Sequence, residues 1–298
     1  MQFISRWIAR SILTMLVLFL CSGTGMAAGE HTDRSQGLLW EISRPGLATS
    51  HLFGTLHLEH PDVLRLPGPV QGAFDDARQV VLEVLLDTDA MIYASSAMLL
   101  TDGRQLSGII GSVLFIRASQ ALQARGIPAL VLERMQPWAA AVTLSLPAQG
   151  SGQVLDMALY QQALQAGKPV AGLETIREQL DVFATLSESD QVALLEEAVG
   201  QSAEIDAIHA QLLAAWLRRD LAALQAINED MQAGVDQRLA EDFQRRVLHD
   251  RNRRMAERLQ PYLQQGHAFI AVGALHLPGA QGLLNRLAQR GYTVRVIY

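Results

Sequence analysis

Cysteine is almost absent from this chain of 298 residues: Cys21 is the only one. A single thiol leaves no internal disulfide, and once the leader described below is removed no thiolate remains to bind a metal or act as a nucleophile. Any metal must then sit on His, Asp or Glu. Lysine is just as scarce, with Lys168 alone among 24 basic side chains, a compositional habit without functional signal. No HExxH sequence occurs, so the usual zinc-peptidase helix is excluded as a template. An uninterrupted apolar run of the ~20 residues needed to cross a membrane is missing as well.

A short apolar run does stand near the start, Ile12–Leu20, behind Arg6 and Arg10 and ahead of Gly25-Met26-Ala27. Positive flank, short apolar core and small-x-small site predict a cleaved secretory signal over residues 1–27. Leu20 is too large for lipoprotein processing at Cys21. The expected product is one domain, 28–298, exported to the periplasm or an equivalent space and not inserted in a membrane. Loss of Arg6 and Arg10 leaves 22 basic against 30 acidic side chains, moving the formal charge from −6 to −8. Such a surface argues against nucleic acid or an anionic membrane as partner.

The most informative pattern occurs twice. His51-Leu52-Phe53-Gly54-Thr55-Leu56-His57 and Ala268-Phe269-Ile270-Ala271-Val272-Gly273-Ala274-Leu275-His276 each run from apolar, strand-like residues into Gly-x-x-His. A buried strand that ends in histidine fixes an imidazole at a sheet edge, and the glycine lets something approach the backbone. The repeat predicts that the two strands lie side by side, with His57 and His276 facing one site. Gln79–Leu86 is a third apolar run, interrupted by Glu83. A carboxylate there costs several kcal/mol unless it is paired or metal-bound, which favours a partnered role.

The rest of the chain predicts an α/β fold with a mixed central sheet flanked by helices. A hairpin spans Gly37–Glu41 and Thr49–Gly54, and a helix over Val70–Ala77 leads to the Glu83 strand. Asp87–Arg125 reads as helical, broken at Asp102-Gly103 and Ser107-Gly108. Short strands are expected at Pro128–Leu132, ending in Glu133, and at Lys168–Leu173, ending in Glu174. Ser187–Gln265 carries no strand signal and forms a helical insertion before a last β-α-β unit, Ala268–Ile297. Trp216 and Phe243 are expected in the core. His51, His60, His209, His249 and His267 carry no site signal, and Arg253 and Arg254 read as a solvated helix face.

Taken together, Gly54-Thr55-Leu56-His57-Leu58, Val81-Leu82-Glu83-Val84, Leu132-Glu133, Pro137-Trp138, Gly172-Leu173-Glu174-Thr175, Glu178-Gln179-Leu180, Arg251-Asn252 and Val272–Gly279 resemble the TraB/GumN family, which includes the TIKI proteases. The resemblance covers nearly all of Leu38–Ile297. It implies two related halves of the erythromycin-esterase and ChaN-like kind meeting at the site. It also implies an active centre of His57, Glu83, Arg251 and His276. His57, His276 and Glu83 would then ligate a divalent metal such as Mn²⁺, Co²⁺ or Zn²⁺, with open positions for catalysis. Alternatively, Glu83 stays off the metal as general base, and Arg251 stabilises an oxyanion or clamps a substrate carboxylate. Glu174 and Gln179 read first as a hydrogen-bond network at a helix start. The implied function is a metal-dependent hydrolase, foremost a peptidase, acting on a peptide or small molecule. The alternative is a periplasmic protein that binds a ligand or metal in the same pocket without turnover.

Overall fold

In the computed structural model, residues 34–85, 87–147, 154–231 and 236–298 are described; the leader predicted over 1–27 lies outside them. Six strands form one mixed sheet: β1 (Leu39–Ser43), β2 (Ser50–Thr55), β3 (Gln79–Val84), β4 (Val170–Glu174), β5 (Ala268–Gly273) and β6 (Thr293–Val296). Their spatial order is β4-β3-β5-β2-β1-β6. The first four in that order run parallel to one another. The β1–β2 hairpin and β6 add an antiparallel flank.

The central position of β3 and β5 follows from their composition. Gln79–Glu83 and Ala268–Val272 are buried at every position, as strands covered on both faces must be. The edge strand β6 is mostly exposed. Phe269 packs between Phe53 and Phe74, at ring distances of 6.0 and 5.3 Å. Trp216 covers Phe53 at 6.3 Å, and its indole N–H donates to the Gly54 carbonyl at 3.0 Å. Burial of each such ring stabilises by roughly 1.5–3 kcal/mol. A second apolar cluster lies among the helices, where Phe183 stacks on Trp138 at 5.9 Å and touches Phe243 at 5.4 Å.

Between β4 and β5 the described chain contains only helices, as expected for the insertion. Two local expectations fail. Ala129–Leu132 is a single helical turn rather than a strand. Pro128 supplies its N-cap position, Leu132 is buried, and Leu130 is 80% exposed. The turn packs on the preceding helix and meets no sheet edge. Glu133 accordingly lies away from the sheet and accepts the Ser107 N–H at 3.1 Å. Ser107-Gly108 does not break the helix Leu106–Gln123; the interruption is at Gly111, with φ +77°.

The pairing of β2 with β5 sets Gly54 opposite Val272 and Thr55 opposite Gly273. The two Gly-x-x-His motifs are therefore neighbours. A Cβ at Gly54 would stand 2.8 Å from Leu277 Cδ1 and 3.1 Å from Ala274, so the first motif's glycine admits the second motif's chain. Gly54→Ala should destabilise the protein by ~1–3 kcal/mol through overpacking, read as a lower urea midpoint. An unchanged midpoint would mean that this contact relaxes freely.

Candidate functional site

Parallel strands bring their C-terminal ends to one sheet edge, the usual place for a site in an open α/β sheet. Here β4 ends in Glu174, β3 carries Glu83, β5 runs into His276 through a 3-10 turn, and β2 runs into His57. All four side chains are buried, with 2–4% exposure. Gly273 marks where they converge. A Cβ there would lie 3.5 Å from His276 Cδ2, 3.6 Å from Glu83 Oε2 and 3.7 Å from His57 Cε1.

Arg251 reaches this edge from the helix Asp250–Arg258. A π-helical turn, Arg245–His249, precedes that helix. Such wide turns recur at functional sites, and this one presents the Val247 carbonyl to Arg251 Nη1 at 3.3 Å. Arg251 Nε donates to Glu174 Oε2 at 2.8 Å, and Nη2 pairs with both Glu83 Oε1 and Glu174 Oε2. Arg254 holds the other Glu174 oxygen at 2.8 Å, so it is not the solvated residue expected; Arg253 is exposed and pairs with Asp250 at 3.1 Å. Gln179 donates to Glu83 at 3.2 Å and to Glu174 at 3.4 Å. It therefore extends the network, while the helix start itself is capped by Thr175 with Glu178.

Burial alone would raise the Glu83 carboxyl, but Arg251, the two histidines and the Gly273 N–H outweigh it and hold the group at about 2. Glu174 is likewise lowered, burial being overcome by Arg251 and Arg254. Arg251 is raised against its own burial by these two carboxylates. The guanidinium makes all these contacts while itself buried, so most of its donors are already engaged by the protein. Glu83 is committed too: Arg251 and Gln179 hold Oε1, and the Gly273 N–H reaches Oε2 at 3.0 Å.

The histidines are held differently. His276 Nδ1 lies 2.6 Å from Asn252 Oδ1, and the Asn252 amide donates to the Gln281 carbonyl at 3.0 Å. The amide orientation makes Nδ1 the protonated nitrogen, leaving the Nε2 lone pair toward Glu83 Oε1 at 3.7 Å. Burial drives the His276 pKa down to about 4, so the ring is neutral at pH 7. His57 faces a residue that the sequence reading missed. Its Nε2 lies 3.3 Å from Asp156 Oδ2, at an angle that makes no hydrogen bond, and both His57 Nδ1 and Asp156 Oδ2 are buried without a hydrogen-bond partner among the described residues. Asp156 stands in the first turn of the helix Leu155–Gln165, and the Thr55 hydroxyl donates to its Oδ1 at 3.1 Å. Burial raises its pKa, and the Glu83 charge adds to the effect. Asp156 had no signal of its own; only Thr55, inside the first motif, leads to it.

The donor chemistry fits a divalent metal. Two imidazoles, one with its tautomer fixed from behind as metal-binding histidines usually are, flank the space that a Gly273 Cβ would fill. Among the described residues no three His, Asp or Glu form a ready-made ion-holding group. His51, His60 and His249 lie elsewhere, His60 capping the turn Pro61–Leu64. His209 is buried in another helix, with its pKa lowered to about 4 by burial.

Two outcomes follow. Arg251→Met should destabilise the protein by ~3–5 kcal/mol, because it strands buried Glu83 and leaves Glu174 with Arg254 alone; Glu83→Gln should also lower the urea midpoint by leaving the guanidinium half-paired. Wild-type midpoints after either change would contradict the network. The metal-free protein should also weaken with acid. Folded His276 titrates near 4, below its ordinary 6.5, so the unfolded chain takes the proton first and stability drains away between pH 6.5 and 4. Glu83, lowered from 4.5 to about 2, removes more as pH falls through that lower range. A flat urea midpoint from pH 6.5 to 4 would contradict a buried neutral imidazole.

The chain is similar to Metalloprotease TIKI1 of Danio rerio, 26% identical over 326 aligned positions that cover 91% of this chain and 66% of the relative. It is also similar to Metalloprotease TIKI2 of Danio rerio, 26% identical, with 86% of this chain and 60% of the relative covered. It thus spans less than two thirds of the length of either. The Shigella flexneri protein named Uncharacterized protein YbaP is 24% identical, with 83% of this chain and 90% of that protein covered. No solved structure matches significantly. The family model described as TraB/PrgY/gumN matches residues 38–296, and the chain belongs to that family.

Proposed function

We propose that this protein is a divalent-metal-dependent hydrolase that cleaves peptide bonds. The observation that carries the reading is the convergence of His57, His276 and Glu83 around the bare backbone of Gly273. The metalloprotease names of two relatives support it. His57 and His276 would hold the ion, one of Mn²⁺, Co²⁺ or Zn²⁺. An ion there supplies polarisation of a substrate carbonyl and a lowered pKa for water. Both roles considered for Glu83 meet an obstacle. Its oxygens already have partners, and a carboxylate held near 2 is a weak base. Glu83 is best read as a fixed negative charge that grips the Gly273 backbone and faces His276, with Arg251 keeping it ionised and in place. The same reading takes the fold as two related halves, each contributing one Gly-x-x-His strand to the shared edge.

No described helix is long and apolar enough to cross a membrane. With residues 1–27 as a cleaved leader, we place the working protein in the periplasm. The test is hydrolysis of a quenched fluorescent peptide library by chelated protein, with and without added Mn²⁺, Co²⁺ or Zn²⁺. Metal-restored cleavage is expected. Metal binding without cleavage of any peptide would favour the non-catalytic binding reading instead. Gly273→Ala makes the site itself the variable. Its backbone, φ −52° and ψ 134°, suits alanine, and the added Cβ makes ordinary contacts, so the variant should melt like wild type. Because the methyl occupies the converging point, metal-dependent cleavage should fall at least about tenfold, a barrier increase of ~1.4 kcal/mol. Full activity in Gly273→Ala would place the chemistry elsewhere.

A further inference from the structure

The side chain behind each histidine of the site decides which ring nitrogen stays bare. His276 has the Asn252 amide at Nδ1, 2.6 Å away, which leaves Nε2 without a proton. His57 is approached at its opposite end. Asp156 Oδ2 lies 3.3 Å from Nε2, and Nδ1 is buried with no hydrogen-bond partner among the described residues. A neutral imidazole carries its proton on one nitrogen only, and the surroundings set the choice. With the proton on Nδ1, a buried N–H would lack an acceptor and the Nε2 lone pair would face a carboxylate. With the proton on Nε2, the positive end of the N–H faces that carboxylate and Nδ1 is a bare acceptor. This attraction needs no straight hydrogen bond, and it is stronger beside buried atoms than in water.

We propose that Asp156 is a positioning residue that holds His57 as the Nε2–H tautomer, so that His57 offers Nδ1 where His276 offers Nε2. Asp156 is placed for this. It stands in the first turn of the helix Leu155–Gln165, where the helix start favours a negative charge. The Thr55 hydroxyl donates to Oδ1 at 3.1 Å and leaves Oδ2 for the ring. Thr55 lies inside the same Gly-x-x-His motif as His57, so the motif carries one half of its own brace. The two motifs, alike in sequence, thus present opposite ring nitrogens, one braced by a carboxylate and the other by an amide. The inference deepens the reading above by naming the nitrogens that would meet an ion. The tautomer itself belongs to the metal-free protein, so it can hold where that reading fails.

The deciding experiment is a long-range ¹H–¹⁵N correlation spectrum of the histidine rings in chelator-treated full-length protein, taken at pH 8, above the ordinary imidazole range. A bare ring nitrogen resonates far downfield of a protonated one, and loss of signals in H57Q and H276Q assigns the two rings. The expected patterns are mirror images: His57 bare at Nδ1 and protonated at Nε2, His276 the reverse. In D156N the Thr55 hydroxyl holds the amide oxygen and turns the NH₂ toward the ring. A bare Nε2 signal should then appear for His57, while His276 keeps its pattern. D156S, with no atom in reach of the ring, is the second variant and should populate both His57 tautomers. Wild-type His57 protonated at Nδ1, or at both nitrogens, would overturn the proposal. So would an unchanged His57 pattern in folded D156N or D156S, the result expected of a merely structural Asp156. Neither result would bear on peptide cleavage, which tests the metal reading separately.

Discussion

Glu83, Arg251 and Glu174 form a buried ion network on which the site's geometry depends. Each member comes from a different element: β3, the helix Asp250–Arg258 and the end of β4. Taking three charges out of water is costly, and the mutual attraction offsets that cost only if every oxygen and N–H is met. Gln179, Arg254, the Val247 carbonyl and the Gly273 N–H supply further partners. The network thereby ties the late helical segment to the sheet. It also fixes the backbone of Gly273, around which the histidines stand. Breaking it would loosen both the fold and the site.

The two equivalent glycines show how one motif can serve two needs. At Gly54 the missing side chain makes room for Leu277 and Ala274, the chain that carries the other histidine. At Gly273 it leaves space among His57, His276 and Glu83. The first is a packing requirement, the second an opening in the site.

The sheet was legible because its central strands are short apolar runs carrying β-branched residues, Val80, Val81 and Val84 in β3 and Ile270 and Val272 in β5. The adjacency of β2 and β5 was legible because the same strand ending occurs twice. Glu83 stood out because an acid in an apolar strand demands a partner, and Arg251 is one. Pro128–Leu132 misled because five residues with apolar character fit a strand or one helical turn equally, and contacts with neighbouring helices decided. Arg254 misled because sequence spacing could not tell that Glu174 would stand above it. Asp156 was invisible: in sequence it is one of many acids opening a helix, and its meaning comes only from Thr55 and His57 across the fold.

The central claim is that these side chains surround a metal position. Anomalous diffraction from a crystal equilibrated with Co²⁺ tests it most directly. The account predicts one strong peak at the end of β2 and β5, about 2.0–2.1 Å from a nitrogen of His57 and a nitrogen of His276. A peak on other residues, or none at this sheet edge, would contradict it.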